Sequence, residues 1–267
     1  MASLVNATAG KEMTLLSTKG LSKNFAGLTA VDNVSLHVPR GKIHALIGPN
    51  GAGKSTLFNL LTSFLKPTSG SISFDGEDIT GLQPASVARR GLVRSFQISA
   101  VFARMTVEEN LRVALQCKLG TAHRFLSPKA RLDSLGPRVQ ELLSEVGLEH
   151  AAKFEAGRLS YGERRALELV TSLAMDPVML LLDEPTQGTG HEDVWRVTDL
   201  IRRFSKTCTV LIVEHNMSVV SQLADTISVL ERGAVIAEGS YAEVSANPRV
   251  IEAYLGRSAG PNGVLAS

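Results

Sequence analysis

The sequence predicts an α/β fold, a mostly parallel sheet into which an all-helical segment is inserted. Three observations predict it. A short apolar run, Ile43, Ala45, Leu46 and Ile47, closes on Gly48-Pro49, and Leu57, Leu60, Leu61, Phe64 and Leu65 then follow at amphipathic-helix spacing. Two later apolar runs, Val178 to Leu182 and Thr209 to Val213, lack alternation, as strands buried on both faces do. Between residues 98 and 158 strand signals vanish and helix starts replace them.

Taken in order, MASLVNATAGKEM has no basic region followed by an apolar block and reads as a flexible leader, residues 1–13. Leu15 to Phe25 and Val34 to Val38 read as strands, the second alternating Val34, Leu36 and Val38 with Ser35 and His37. After the first helix, KPTSG stops it, and Ser71 to Phe74 runs into the hairpin signal Asp75-Gly76. Leu92 to Phe96 is a further short strand, followed at once by Gln97.

The helical segment opens on the capping box Thr106-x-x-Glu109 and runs through Leu111 and Leu115. Ser127-Pro128 is a cap with proline at the first helical position. Leu132, Leu135, Val139, Leu142, Leu143 and Val146 keep helical spacing, with a break expected at Gly136-Pro137. Ser160 and Glu163 form a second capping box, opening a helix through Leu173 that stops before Pro177. Ile227, Val229 and Val235, Ala237 flank Glu231-Arg232-Gly233 as a hairpin, and RSAGPNGVLAS reads as a flexible tail, residues 257–267.

The bulk properties narrow the class. With 267 residues, 44% hydrophobic and 20% charged, the chain can bury a sizeable core. Its longest wholly apolar run, Val178 to Leu182, is far short of a bilayer span. Cys117 and Cys208 are isolated, which argues against a disulfide framework or a zinc site and fits a cytoplasmic protein. A net charge of +2 gives no reason to invoke nucleic acid.

The chemistry is concentrated where apolar runs end. Gly48-x-x-x-x-Gly53-Lys54-Ser55 lies between a strand and a helix, and in the loop Gly48, Pro49, Asn50, Gly51, Ala52 and Gly53 the glycines let the backbone curl so that successive N–H groups point at an anion at the helix N-terminus. In this pattern Lys54 reaches the β- and γ-phosphates of a nucleotide, and the Ser55 hydroxyl, beside Thr56, ligates Mg²⁺. In open parallel sheets ligands sit at the carboxyl ends of strands, so Asp183, Glu184 and His215 are delivered to the same edge. Asp183 is the expected Mg²⁺ ligand with Ser55, and Glu184 the general base or water-orienting group. His215 could contact the γ-phosphate, and Gln97 could touch the attacking water or Mg²⁺. Phe25 is either a core residue or a ring that stacks on a purine base. The serine and glycine of Leu159-Ser160-Tyr161-Gly162-Glu163 leave a helix N-terminus able to grip an anion.

These motifs, in this order from about Leu15 to Gly256, resemble the ATP-binding subunit of an ABC transporter. The resemblance rests on the phosphate loop, a Q-loop at Gln97, the signature LSYGE, the acidic pair of DEP and a switch histidine in VEHNM. It implies a P-loop NTPase: a RecA-like, mostly parallel sheet core with an N-terminal antiparallel β subdomain and an α-helical subdomain inserted at about 98–176, within a domain of residues 14–256. It also implies ATP and Mg²⁺ as ligands, and a head-to-tail dimer with an identical or different ATP-binding subunit. In that dimer Ser160 and Gly162 face the γ-phosphate held by the other subunit, and permease subunits dock on the helical insert at the cytoplasmic face of the membrane. Two departures stand out. The signature has Tyr161 and Glu163 where the commonest form has glycine and glutamine, and QGTGHED places Gly190 where an aspartate usually helps couple the two sites. Within the family, RSFQ, LSYGE, VEHNM and VIEAYLG are similar to importers of branched-chain and other hydrophobic amino acids or amides, which also use a binding protein. A lipopolysaccharide-export ATPase is a near relative, so export stays open. A soluble ABC protein acting on ribosomes or DNA usually carries two cassettes or a long coiled coil, and this chain has neither.

Overall fold

Strand β4 (Ile43–Ile47) is buried at every residue, and the main sheet is built outward from it. The computed structural model describes residues 13–95, 101–118 and 134–255. On one side of β4 lie β9 (Thr209–Val213), β8 (Met179–Asp183) and β7 (Leu92–Arg94), all parallel to it. On the other side β10 (Thr226–Glu231) is also parallel, and β11 (Ala234–Gly239) closes the edge antiparallel to it. Like β4, β8 and β9 are buried at all their residues, as their unbroken apolar runs require. The parallel arrangement brings the ends after Ile47, Asp183 and Val213 to one edge of the sheet.

A second, antiparallel sheet covers one face. It comprises β1 (Thr14–Phe25), β2 (Leu28–Val34), β3 (His37–Pro39), β5 (Ser69–Phe74) and β6 (Glu77–Asp78), with β1 pairing to β2, β3 and β5. The single strand expected over Val34 to Val38 is in fact two, β2 ending at Val34 and β3 starting at His37. The buried Thr18 hydroxyl separates them: it donates to the Val34 carbonyl and accepts from Leu36 N–H, both at 2.9 Å, displacing the ladder there. Asp75 and Gly76 both adopt positive φ, the geometry a two-residue hairpin turn asks for. The flexible leader extends to Met13 only as an expectation; the Met13 carbonyl accepts a 2.9 Å bond from Arg40 N–H.

Helices α1 (Lys54–Leu61) and α2 (Pro84–Arg89) pack in the core shared with the antiparallel sheet, where Phe58, Leu60 and Leu61 meet Leu15, Ile72 and Phe74. The opposite face of the main sheet is covered by α3 (Val107–Lys118), α4 (Gly136–Val146), α5 (Tyr161–Leu173), α6 (His191–Phe204) and α7 (Met217–Leu223). Short helices α8 (Tyr241–Ser245) and α9 (Pro248–Leu255) follow β11. Gly136-Pro137 opens α4, where proline's missing N–H is harmless in a first turn, and Leu132, on the far side of the expected break, lies outside the described residues. Both expected capping boxes form, Thr106 with Glu109 and Ser160 with Glu163. Residues 103–108 and 152–157 are stitched together by backbone bonds such as Val107 N–H to Phe154 O at 3.0 Å, which closes the helical segment at its base. The Ser127-Pro128 cap and the flexible tail lie outside the described residues.

One polar chain crosses the main sheet. His44 is fully buried, its Nε2 2.9 Å from the Ser228 hydroxyl, which donates to Glu238 Oε2 at 2.7 Å. Since the one Ser228 proton points at Glu238, the His44 Nε2 must carry the hydrogen, and Nδ1 is left with no partner among the described residues. Burial pushes the imidazole down to about 4 from its ordinary 6.5. A folded value below the unfolded one means the unfolded chain takes up the proton first. Stability is therefore complete above pH 6.5 and is lost as pH falls toward 4. At pH 4.5 the loss from this residue is about 2–3 kcal/mol. Urea midpoints at pH 7 and 4.5 check it: His44→Leu should lose less stability between the two than the parent does, and identical slopes would remove His44 as the cause.

Candidate nucleotide site

The turn from β4 into α1 is possible only with glycine at two positions. A Cβ on Gly48 would lie 2.1 Å from the Leu230 carbonyl oxygen, and one on Gly53 would lie 2.3 Å from that of Ala30. Gly53 also sits at φ +101, left-handed, at the N-cap of α1. The loop is closed by Ala52 N–H to Pro49 O at 3.1 Å, and tied to the β10–β11 turn by Gly233 N–H to Ala52 O at 2.8 Å. By helix geometry the N–H groups of Lys54, Ser55 and Thr56 have no acceptor within α1, so they face the loop's concavity as donors.

That concavity is a cavity of about 620 Å³. Asn50 to Thr56 form its floor, Leu28, Thr29 and Ala30 one wall, and Glu184, Arg232 and Gly233 the rest. Lys54 is 8% exposed and its ammonium donates to the carbonyls of Gly48 at 2.6 Å and Pro49 at 3.0 Å. Burial pushes this ammonium down, while the Glu184 and Asp183 charges hold it up. The site therefore has donors, one desolvated cation and a carboxylate aimed into one hollow, an arrangement that binds a polyanion and can place a water against it.

The acidic edge sorts into three roles. Asp183 ends β8, is 2% exposed and accepts from Arg94 Nη2 at 2.6 Å through Oδ2. Arg94 in turn donates to Asn59 Oδ1 at 2.6 Å, which ties β7, β8 and α1 together behind the loop. A carboxylate oxygen and a hydroxyl are hard donors of the kind Mg²⁺ takes, and Ser55 lines the cavity whereas Asp183 is not among its lining residues. One hydroxyl and one carboxylate are too few to hold a metal alone, and such donors suit an ion that takes its other ligands from phosphates and water. Glu184 lines the cavity itself. Glu214 is fully buried and is a brace: its carboxylate accepts from Thr186 N–H at 3.1 Å, Thr186 Oγ1 at 2.6 Å, and the N–H groups of His215 at 3.2 Å and Asn216 at 3.3 Å. It fastens the segment after Glu184 to the turn that carries His215.

The remaining expected residues are placed less simply. His215 is exposed and lines a neighbouring cavity of about 580 Å³ with Thr186 to Gly190, Trp195 and Met217, not the phosphate cavity. Phe25 is neither core nor part of the cavity wall: it is 41% exposed at the end of β1, with the Lys23 ammonium 5.1 Å over its ring, and the wall begins at Leu28. Gln97 and Phe96 lie outside the described residues, and the strand expected over Leu92 to Phe96 ends at Arg94, one residue before the described Ser95. Ser160 caps α5, where its hydroxyl is engaged with Glu163, and neither it nor Gly162 lines the phosphate cavity of its own chain. Gly190 N-caps α6 with no side-chain cap bond, while Asp193, one turn on, packs so close to Gly162 that a Cβ there would lie 2.0 Å from its carboxylate.

Sequence reasoning missed Arg94, Asn59, Glu214 and Arg232. Arg94 and Glu214 had a signal, since a charged residue abutting an apolar parallel strand must be paired. Asn59 and Arg232 had none.

The ABC transporter family model matches residues 31–187, and a model for the branched-chain amino acid ATP-binding cassette transporter matches residues 234–260. The high-affinity branched-chain amino acid transport ATP-binding protein BraF of Pseudomonas aeruginosa is 40% identical over 251 residues, 91% of this chain and 98% of that protein. The corresponding LivG protein of Escherichia coli is 40% identical over 252 residues, with the same coverage. Among solved structures, a nucleotide-free ATP-binding cassette from an ABC transporter superposes with a TM-score of 0.78 at 33% identity, covering 91% of this chain and all of that one. The ADP conformation of such a cassette gives 0.79 at 34% identity, covering 91% and 99%.

Proposed function

The chain belongs to the ABC transporter ATP-binding family, and from that premise we propose that it hydrolyses ATP to energise import of branched-chain or other hydrophobic amino acids or amides. The observation that carries the ATPase is the phosphate cavity, in which Lys54, the first-turn N–H groups of α1 and the Glu184 carboxylate converge. The cargo class is supported by 40% identity to BraF and LivG and by the match over residues 234–260.

In this reading the loop N–H groups and Lys54 hold the phosphates, and the apolar wall of Leu28 to Ala30 receives the base. Ser55 and Asp183 hold Mg²⁺, with Gln97 as a further candidate ligand, and the ion when bound neutralises charge on the phosphate oxygens. Glu184 accepts the proton of the attacking water. His215 serves as the γ-phosphate sensor when its turn is brought up against the bound nucleotide. Ser160 and Gly162, which do not line their own chain's cavity, act on the nucleotide of a second ATP-binding subunit packed head to tail.

No helix among the described residues is long and apolar enough to cross a membrane. In this reading permease subunits span it. An apolar groove of about 410 Å³ supplies their docking place: Phe64 and Phe102, both more than half exposed, flank it with Pro84, Val113 and Met175. In this reading the chain sits peripherally on the cytoplasmic face, with a binding protein delivering cargo on the other side.

Proteoliposomes holding this subunit and the permeases that copurify with it test the reading. ATP hydrolysis should rise several-fold when a binding protein loaded with leucine, isoleucine or valine is added. Indifference to all hydrophobic amino acids, with stimulation by lipopolysaccharide, would replace import by export.

A further inference from the structure

Glu184 is a non-glycine residue at φ +46. Left-handed backbone is unfavourable for an ordinary residue and persists only where neighbours over-determine it. Two sets of contacts do so here. From β9, the Val213 carbonyl accepts Glu184 N–H at 2.9 Å. From α5, the Arg165 guanidinium donates Nε–H to the Pro185 carbonyl at 2.8 Å and Nη2–H to the Glu184 carbonyl at 3.4 Å. Its third arm is fixed by Glu168, with Nη1 2.7 Å from Oε2, and both side chains are nearly buried, at 10% and 12% exposure.

The guanidinium is thus a rigid fork, anchored on its own helix and spanning two consecutive carbonyls of the segment that carries the catalytic carboxylate. Two further links run the same way. The Tyr161 hydroxyl donates to the Gln187 carbonyl at 2.7 Å, and Gly162 packs against Asp193. All three start in the first turns of α5, the helix whose N-terminus is the signature. Only Arg165 reaches Glu184 itself.

We infer that Arg165 is a positioning residue that holds the Glu184 backbone in its working conformation and so transmits the placement of the signature helix to the hydrolytic carboxylate of the same chain. The inference rests on the reading of Glu184 as the base. It also gives this chain an internal route between its signature and its hydrolytic site that does not need an aspartate at Gly190.

The test compares Arg165→Met, Arg165→Lys, Glu184→Gln and Glu184→Gln/Arg165→Met in the full chain, reading kcat, KM, affinity for a non-cleavable ATP analogue, and thermal midpoint. Arg165→Met should lower kcat by about tenfold to a hundredfold, as small misplacements of reacting groups do. Analogue affinity should stay within about twofold of the parent. Arg165→Lys, which keeps the charge but not the fork, should recover only part of the rate. The double variant should be no slower than Glu184→Gln alone. If Arg165→Met does not fold, Arg165→Lys decides by the same criteria. A lowered midpoint with kcat within twofold of the parent, while Glu184→Gln is inactive, overturns the inference and leaves the base in place. An active Glu184→Gln overturns the base itself.

Discussion

Glu184→Gln should bind ATP as the parent does and hydrolyse it at less than about a hundredth of the parental rate, the loss expected when a positioned general base is removed. The other acidic residues at the sheet edge cannot stand in for it. Asp183 Oδ2 is held by Arg94, and its carboxylate is almost inaccessible. Glu214 is fully buried, with both oxygens taken by Thr186, His215 and Asn216. Among the described residues, Glu184 is the acidic residue that lines the phosphate cavity. The substitution keeps the volume of the side chain, and the backbone stays held through Val213 and Arg165. What is lost is the proton acceptor. With binding intact and turnover blocked, ATP-bound subunits should accumulate as dimers, which size-exclusion chromatography with and without ATP will resolve. Parental turnover in this variant would take Glu184 out of the chemistry.

How much of this was legible beforehand depended on whether a feature is local. The phosphate loop, the two capping boxes and strands β8 and β9 are written in consecutive residues, and each forms where its pattern lies. The jog between β2 and β3 is not local: it is made by Thr18, sixteen residues before Val34, through a hydroxyl that reads in sequence as one more polar strand residue. Helices α2, α6 and α7 carry no phosphate-loop or capping-box motif of their own, and the sequence reading leaves them out. Yet α6 carries Val197, Leu200, Ile201 and Phe204 at helical spacing into the core. Within the site, the sequence points to candidates for the chemistry but not to the residues that hold them. Arg94, Arg165 and Glu214 act through carbonyls, amides and carboxylates that come from other elements, and no spacing rule links position 165 to position 185.

Lys54→Met should raise the dissociation constant for ATP by roughly tenfold to a hundredfold, as the removal of a charge-assisted partner worth about 1.5–3 kcal/mol does. The effect should shrink for nucleoside monophosphate, since the Lys54 ammonium works on the terminal phosphates. The nucleotide-free protein should behave in the opposite sense. Burial pushes the Lys54 ammonium down, so the fold is holding a cation that water would solvate better, kept charged by Glu184 and Asp183 and by the carbonyls of Gly48 and Pro49. Methionine fills most of the same space without that desolvation. The thermal midpoint without nucleotide should therefore hold or rise, while the increase on adding ATP should collapse, because ligand stabilisation scales with ligand concentration over the dissociation constant. A residue kept for packing would lower the first quantity and spare the second. Isothermal titration and melting curves on one preparation separate the two cases, and unchanged ATP affinity would mean that the loop does not hold phosphate through Lys54.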